Sequence, residues 1–242
     1  MSLKYQQDTD EAADAAAIRP VTPQPWASIA LIACFTVVFI VQMTTGLEHS
    51  IIAAGDDKDA FIQHHEYWRL LTGAALHGGL LHYGFNTYAF YSFGRICEVL
   101  TNRWHIPVIF LLSAIAGGVL SFIVNPHGIS VGASGGIIGL VGYLVVYSFK
   151  RREFINSEFR NSLIFNIGFI LFYGFLLSQA VDNFAHIGGL LAGAVYALFQ
   201  VPRDRYTDPR NASGLVEAFG LLSLAIYGAV CVFASLLIFR IV

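Results

Sequence analysis

The chain has 242 residues, of which 56% are hydrophobic and 12% are charged, and its formal net charge is −2. A soluble globular domain carries about 25% charged residues, so this chain has too little polar surface for a water-soluble body of its size. The near-neutral charge offers no basic surface for nucleic acid, and an unusually apolar soluble enzyme remains the alternative. Cys34, Cys97 and Cys231 fall in or beside apolar blocks, which indicates packing rather than a disulfide framework.

The apolar residues come in blocks separated by short polar stretches, which is the pattern of bilayer-spanning helices of roughly 20 residues. Polar residues 1–26 precede the first block and show no signal peptide. Because backbone groups must be satisfied internally in lipid, each block is predicted to be a helix. The predicted spans are Ala27–Thr45, Leu80–Phe93 continuing towards Leu100, Ile106–Val124, Ser134–Phe149, Leu163–Ala180, Ala185–Val201 and Ala218–Phe239.

This pattern predicts an all-α polytopic membrane protein built in four parts. Residues 1–26 are expected to form a disordered cytoplasmic tail, and residues 27–201 a six-helix core. Residues 202–215 form a polar cytoplasmic linker, so the segment 216–242 is expected to add a seventh transmembrane helix to the core. The long semi-apolar loop over residues 46–79 mixes aromatic and charged residues, which suits a segment in the membrane interface.

The distribution of Lys and Arg predicts a cytoplasmic N-terminus, because cytoplasmic loops carry an excess of both residues. In that orientation eleven Lys and Arg residues lie in inner segments and three in outer segments. The second, fourth and sixth spans then all begin on the outer side, so the polar residues of their first turns lie at one depth. We expect a multi-pass protein of the bacterial inner (plasma) membrane with these polar residues towards its outer face.

Ser134 lies within the sequence GASGG at residues 132–136, where the fourth span begins. A serine hydroxyl becomes a nucleophile when a base takes its proton, and flanking glycines allow a sharp turn and close approach. The free N–H groups of a helix start can stabilise an oxyanion. The alternative is a glycine-rich packing site in which Ser134 only caps the helix.

His186 begins the sixth span in the sequence AHIGGLLAG. Gly189 and Gly193 form a GxxxG pattern, which lets two membrane helices touch backbone to backbone. The fourth span offers a complementary row of glycines, at positions 135, 139 and 142. A close contact between these spans would bring His186 to the roughly 3 Å from Ser134 that a dyad needs. The alternative for His186 is a packing residue bonded to a carbonyl.

The second span contains the pattern HxxxxHxxxN, formed by His77, His82 and Asn86. His82 and Asn86 are four residues apart and share one helix face, so both can donate to a developing oxyanion. Hydrogen bonding between helices is the alternative, above all for His77. A zinc protease is not indicated, because Arg69 occupies the position of the second histidine in HExxH.

In combination these motifs resemble the rhomboid proteases. The resemblance covers residues 27–201 and implies a rhomboid-like six-helix bundle that acts as an intramembrane serine endopeptidase with a Ser–His dyad. It implies that Ser134 is the nucleophile and His186 the general base, and that His82, Asn86 and the Ser134 amide form the oxyanion site. No cofactor or metal is expected. The motifs that carry it are Trp68–Arg69, HxxxxHxxxN, Glu98, GASG at residues 132–135 and AHxxGxxxG at residues 185–193.

The resemblance also implies supporting roles. Gly132 would shape the loop before the serine, and Phe85 would be a gating aromatic near the fifth span. Ile138 is a departure, because many members carry there an aromatic residue that stacks on the catalytic histidine. Structural roles are expected for Trp68, Arg69 and Glu98, and helix-contact roles for Gly135, Gly189 and Gly193.

The expected partners are single-pass or polytopic membrane proteins, cut near the outer ends of their helices, and the lipid bilayer. One alternative is a rhomboid-like pseudoprotease that binds or routes membrane clients, but such relatives typically lack the serine or the histidine. Another is a transporter or channel, which should show internal repeats and discontinuous helices at the bilayer midplane. The retained Ser134 and His186 and the polar residues near one face favour the protease.

Overall fold

The computed structural model describes residues 24–177 and 181–241, so most of the predicted tail lies outside the described residues. Helices occupy all seven predicted span positions, with short elements in the loop between the first two. In chain order the elements are α1 (Trp26–Thr45), α2 (Leu47–Ala54), β1 (Asp56–Asp57), α3 (Lys58–Gln63), α4 (Arg69–Thr72), a 3-10 turn (Gly73–Ala75), α5 (Leu80–Leu100), α6 (His105–Val124), β2 (Ile129–Ser130), α7 (Ser134–Lys150), α8 (Ser157–Leu176), α9 (Asn183–Gln200) and α10 (Gly214–Ile238).

Among the described residues, four helices are long and apolar enough to cross a membrane by length and composition, namely α1, α6, α8 and α10. The apolar α7 is shorter, with 17 residues, while α5 and α9 carry the polar residues of the candidate site. The prediction of an all-α polytopic membrane protein is confirmed, since the only β structure described is the two-residue pairing of β1 with β2.

Two predicted helix starts were wrong, and for the same physical reason. Helix α8 begins at Ser157 rather than Leu163, where the Asn156 side chain accepts a hydrogen bond from the Phe159 amide at 2.8 Å. Helix α10 begins at Gly214 rather than Ala218, after a cap by Ser213. A capped first turn at the membrane surface is polar, so hydropathy alone places the start too late. The predicted end of the fifth span, residues 178–180, lies outside the described residues.

Helices α7 and α9 make the closest contact in the bundle, as the glycine pattern predicted. A Cβ atom at Gly189 would collide with the carbonyl oxygen of Gly135, and one at Gly193 with that of Gly139. The paired glycines advance by four residues on both helices, so the two helices run parallel. Helix α6 completes the centre, because a Cβ at Gly117 would lie 2.5 Å from the Ala185 carbonyl oxygen.

The seventh helix is integrated with the predicted core rather than lying beside it. Helix α10 packs against α1 and α6. Its Tyr227 is fully buried, stands edge-on to Phe110 at 4.8 Å and donates a hydrogen bond to the Ala74 carbonyl at 3.2 Å. The Phe233 ring meets Trp68 edge-on at 5.4 Å. Helix α10 therefore supports the loop between α1 and α5 through Tyr227 and Phe233.

That loop, residues 46–79, is fixed by buried hydrogen bonds around Arg69. The guanidinium pairs with Glu66 and donates to the carbonyls of Ile52 at 3.2 Å and Gly55 at 2.9 Å. Strand β1 pairs with β2, which places Asp56 opposite Ser130. The loop is thereby attached to the segment that leads into Ser134.

The contact between α7 and α9 can be tested with two glycines of different surroundings. We expect Gly193→Ala to lower the free energy of unfolding by about 1–3 kcal/mol, because the added methyl group overpacks the helix contact. Gly228→Ala in α10 is the matched control, since a Cβ there meets no atom within 4 Å. Denaturant titration in detergent micelles measures both, and equal stabilities for the two variants would contradict the contact.

Candidate active site

The structure brings Ser134 and His186 into hydrogen-bond contact. Ser134 is the first residue of α7, and its Oγ lies 2.9 Å from Nε2 of His186 in the first turn of α9. His186 is 6% exposed. Its other ring nitrogen, Nδ1, is buried and has no hydrogen-bond partner within the described part of the chain. The arrangement pairs a potential nucleophile with a potential base in a largely desolvated position.

Gly132 determines the path of the chain into Ser134. Its φ of +136° lies in the region that L side chains rarely adopt. A Cβ at this position would lie 2.8 Å from Cε1 of His82, and the Gly132 N–H donates to the Gly73 carbonyl at 2.9 Å. Only glycine satisfies both the conformation and the space, which agrees with the predicted role of this residue in shaping the loop.

His82 and Asn86 lie on the same cavity wall, one turn apart on α5. Nδ1 of His82 accepts a hydrogen bond from the Gly78 amide at 3.2 Å, so the neutral ring carries its proton on Nε2. A Cβ at Gly132 would lie 3.0 Å from that Nε2 and 3.6 Å from Oγ of Ser134. The Asn86 amide donates to the His82 carbonyl at 2.9 Å, which fixes its orientation along the helix. Both side chains therefore have an N–H donor at the wall next to Ser134.

A cavity of about 610 Å³ joins these four polar residues to an apolar wall. The apolar wall comes from α5 and α8 and from Leu177 and Val181. Phe85 stands at its edge with 72% of its surface exposed, and Ile138 belongs to the same lining as His186. Two aromatic or aliphatic residues of α8, Ile170 and Tyr173, form the opposite side. The cavity thus combines polar side chains around Ser134 with an apolar lining that includes residues of α5 and α8.

Several predicted site residues do not line this cavity. His77 is fully buried beside the rings of Phe35 at 5.2 Å and Tyr83 at 5.5 Å, and it does not line the cavity. Glu98 lies near the far end of α5, where its carboxylate accepts hydrogen bonds from the Ser28 hydroxyl at 2.7 Å and the Ser28 amide at 2.8 Å. The Arg69 guanidinium covers the Trp68 ring at 4.7 Å. The positions of these residues are those of supports for the bundle and its loop.

Sequence reasoning missed a buried polar cluster at the start of α9. Asp182 caps the helix, and its Oδ1 accepts from the Ala185 amide at 3.0 Å. Its Oδ2 accepts from the hydroxyls of Ser130, at 2.6 Å, and Ser121. The fully buried Lys58 donates to the Ser121 hydroxyl at 2.8 Å and lies 3.8 Å from Asp182. An aspartate just before an apolar helix was the available signal for the cap.

This cluster ties three chain segments to the helix that carries His186. Lys58 comes from the loop after α1, Ser121 from α6 and Ser130 from the segment before Ser134. The Asp182 carboxylate therefore holds the first turn of α9 against all three. The link was not visible in the sequence because its members come from separate segments and share no motif.

The two carboxylates at this edge of the cavity have opposite electrostatic environments. Burial raises the pKa of Asp56 to about 6, and the nearby charges of Lys58 and Arg69 reduce the effect without reversing it. Burial acts in the same direction on Asp182, but the hydrogen bonds from Ser121, Ser130 and Ala185 and the charge of Lys58 lower its pKa overall. At neutral pH the charged form of Asp182 is thus stabilised by its surroundings, whereas the charged form of Asp56 destabilises the folded protein.

No group of three or more His, Cys, Asp or Glu side chains suited to a metal ion occurs among the described residues. His65 and Glu66, the only part of an HExxH pattern in this chain, lie in the loop before α4. His65 contacts the Tyr67 hydroxyl at 2.8 Å, and Glu66 pairs with Arg69.

Comparison with known proteins places the chain among rhomboids. The family described as "Rhomboid domain" matches residues 64–203, which is more than half of the chain. Rhomboid protease GluP of Bacillus subtilis is 34% identical over 64% of this chain and 31% of its own length. RHOMBOID-like protein 6, mitochondrial, of Arabidopsis thaliana is 35% identical over 65% of this chain and 52% of its own. The chain thus spans about half or less of these two relatives.

The raised pKa of Asp56 predicts a pH-dependent gain of stability in Asp56→Asn. The charged carboxylate destabilises the folded state fully above pH 6, and this cost falls as the pH drops from about 6 to 3.8, the value for an exposed carboxyl. We expect the variant to exceed the wild type in Tm at pH 8, with a difference that shrinks on acidification. Thermal unfolding in detergent measures this, and a difference that grows towards acid pH would contradict it.

Proposed function

Because the chain belongs to the rhomboid family, we propose that it is an intramembrane serine endopeptidase that cuts membrane proteins in or near their transmembrane segments. The observation that carries the proposal is the 2.9 Å contact between Oγ of Ser134 and Nε2 of His186. That contact lies in a cavity of an integral membrane protein, beside two side-chain donors, His82 and Asn86. These are the parts that hydrolysis by an activated serine requires.

In the proposed reaction His186 removes the proton of Ser134 as Oγ attacks the carbonyl carbon of the scissile peptide bond. The bond to the leaving amine then breaks, and His186 gives the proton to that amine. Water, deprotonated by the same ring, hydrolyses the acyl-enzyme and releases Ser134. Among the described residues the ring of His186 is oriented by the contact of its Nε2 with Ser134, while its Nδ1 has no hydrogen-bond partner.

The negative oxygen formed during the attack would be stabilised by three donors. The Ser134 amide is free of an intrahelical partner because it opens α7. Nε2 of His82 carries the proton, since Nδ1 accepts from Gly78, and it lies beside Gly132 at the mouth of the same turn. Asn86 contributes the amide N–H that is not bonded to the His82 carbonyl. Donors in a water-poor site need no reorganisation during the reaction, which makes each of them effective.

The substrate would enter from the side, between α5 and α8. Helix α8 buries only Leu163 and Gly174, so it is the least tightly held of the long helices. Phe85 lies at the edge of the opening, and the aromatic and aliphatic wall of α8 faces an incoming apolar segment. A substrate helix must unwind locally to expose a peptide bond to Ser134, and glycine or proline near its end makes that unwinding easier.

The topology belongs to the proposal as well. The basic residues near the end of α7 and after α9 favour an inner location for that face of the bundle. The dyad, at the opposite ends of these helices, would then face outward, and the N-terminus would be cytoplasmic. We propose a six-helix catalytic core over residues 27–201, with residues 216–242 as an added helix and the bacterial inner membrane as its site.

Removal of either dyad member is expected to abolish cleavage. We expect Ser134→Ala and His186→Ala to lower kcat by at least about 1000-fold, because neither residue has a substitute. Cleavage of a model transmembrane substrate in liposomes measures the rate, and labelling by a fluorophosphonate probe reports on the nucleophile. The controls are Ser235→Ala in α10 and His127→Ala on an exposed loop. Retained cleavage in Ser134→Ala would refute the dyad, and a wild type that binds substrates without cutting them would indicate a pseudoprotease.

The oxyanion donors are expected to act on kcat rather than on folding. Loss of one donor costs roughly 2.7–4 kcal/mol of transition-state stabilisation, so Asn86→Ala should slow turnover by about 100- to 1000-fold. His82→Ala should act in the same way, and the double variant should be slower than either. The measurement is kcat in liposomes, with thermal unfolding to show that the fold persists. Full activity in the double variant would overturn the assignment of both residues.

A further inference from the structure

A second cavity lies at the end of the bundle opposite the dyad. Ser134 begins α7 and Lys150 ends it, so the two residues are separated by about 25 Å along the helix. Helix α9 also ends on this face, at Gln200. Between the two helix ends is a cleft of about 470 Å³, lined by Phe149, Lys150, Arg151, Arg152, Glu153, Phe154, Arg203 and Arg205.

Part of the positive charge in this cleft has a structural use. The Lys150 ammonium donates to carbonyls at the end of α9, including those of Ala197 at 3.2 Å and Val201 at 2.7 Å. Arg205 pairs with Glu153 at 2.9 Å. One Nη of Arg151 donates to the Asp204 carbonyl. These contacts join the ends of α7 and α9.

The remaining positive charge has no described partner. Within residues 24–177 and 181–241, Arg152 and Arg203 make no hydrogen bond or ion pair, although Glu153 and Asp204 follow them in the chain. Arg203 lies close enough to Lys150 to repel it. Arg151 is 7% exposed, yet its Nε is buried without a hydrogen-bond partner. The cleft holds five basic side chains and one acidic side chain, Glu153, which pairs with Arg205. The unpaired N–H of Arg151 therefore leaves a position that an anionic group would fill.

We propose that this cleft binds the phosphate of an anionic phospholipid. Guanidinium groups match phosphate oxygens in geometry and charge, and basic pockets between transmembrane helices at the inner face hold lipid headgroups. A phosphate would satisfy Nε of Arg151 and neutralise Arg152 and Arg203 together. The exposed rings of Phe149 and Phe154 border the cleft on its membrane side.

An adjoining groove favours a lipid over a free phosphate. This groove, of about 560 Å³, shares Phe154 with the basic cleft and lies between α5 and the start of α8. Its wall is mainly apolar and accepts an acyl chain, with contributions from Tyr91, Ile96, Val99, Leu100, Ile155 and Phe159. A headgroup in the cleft and a chain in the groove would use both cavities at once. The bound lipid would tie α7 and α9 together at the ends remote from the dyad.

A lipid titration of the purified full chain in detergent tests the proposal. We expect dioleoylphosphatidylglycerol to raise the Tm and to appear as a bound lipid in native mass spectra, whereas dioleoylphosphatidylcholine should do neither. The double variant Arg152→Gln/Arg203→Gln should bind the anionic lipid about 30-fold more weakly, at about 1 kcal/mol for each lost charge. Both substituted side chains are exposed, so the fold should persist.

The matched control is Arg103→Gln/Arg210→Gln, which removes two charges from the same face outside the cleft. It should retain the lipid effect. An equal loss in both double variants would overturn the proposal, because the lipid would then be responding to net charge alone. Inorganic phosphate is the second arm of the test, and stabilisation by phosphate equal to that by the lipid would refute the lipid assignment. None of these readings depends on proteolytic activity.

Discussion

The backbone contact between α7 and α9 is the constraint on which the candidate site depends. Gly135 and Gly139 on α7 meet Gly189 and Gly193 on α9, and the collisions that a Cβ atom would cause show that the helices could not approach so closely with side chains between them. Between apolar helices in lipid there is no hydrophobic drive to associate, so close packing and polar contacts carry the association. A methyl group between α7 and α9 would push the two helices apart and move His186 out of its 2.9 Å contact with Ser134.

Polar contacts then orient what the glycines bring together. Asp182 joins the start of α9 to three other segments through Ser121, Ser130 and Lys58. The Gln42 side chain accepts a hydrogen bond from the His77 amide at 2.9 Å and donates one to the His77 carbonyl at 3.1 Å. In a medium without water, an unpaired polar group is costly, so each such network strongly favours one arrangement. The loop before α5 is consequently held by side-chain hydrogen bonds as well as by its own short helices.

The two ends of the bundle carry different sets of side chains. At one end the first two turns of α5 and the first turns of α7 and α9 place hydroxyl, imidazole and amide groups around a cavity that the loosely packed α8 also lines. At the other end the last turns of α7 and α9 meet a surplus of arginine, for which an anionic lipid is the natural counterpart in a membrane. Helices α7 and α9 span both ends, so binding at the basic end and geometry at the dyad share the same glycine contact.

The sequence by itself determined the seven helix positions, the parallel course of α7 and α9 and the pairing of Ser134 with His186, because apolar length, glycine spacing and charge bias are local patterns. Only the tertiary structure decided that His77 is packed among aromatic rings, that Lys58 and Asp182 meet, and that Tyr227 of α10 supports the loop beside the site. Hydropathy also missed the helix starts at Ser157 and Gly214, because capped polar turns have low hydropathy. Ser134 and His186 are 52 positions apart, but each lies in a glycine motif of its own. Lys58, Asp182 and Tyr227 lie in no such motif, so only the folded chain shows their contacts.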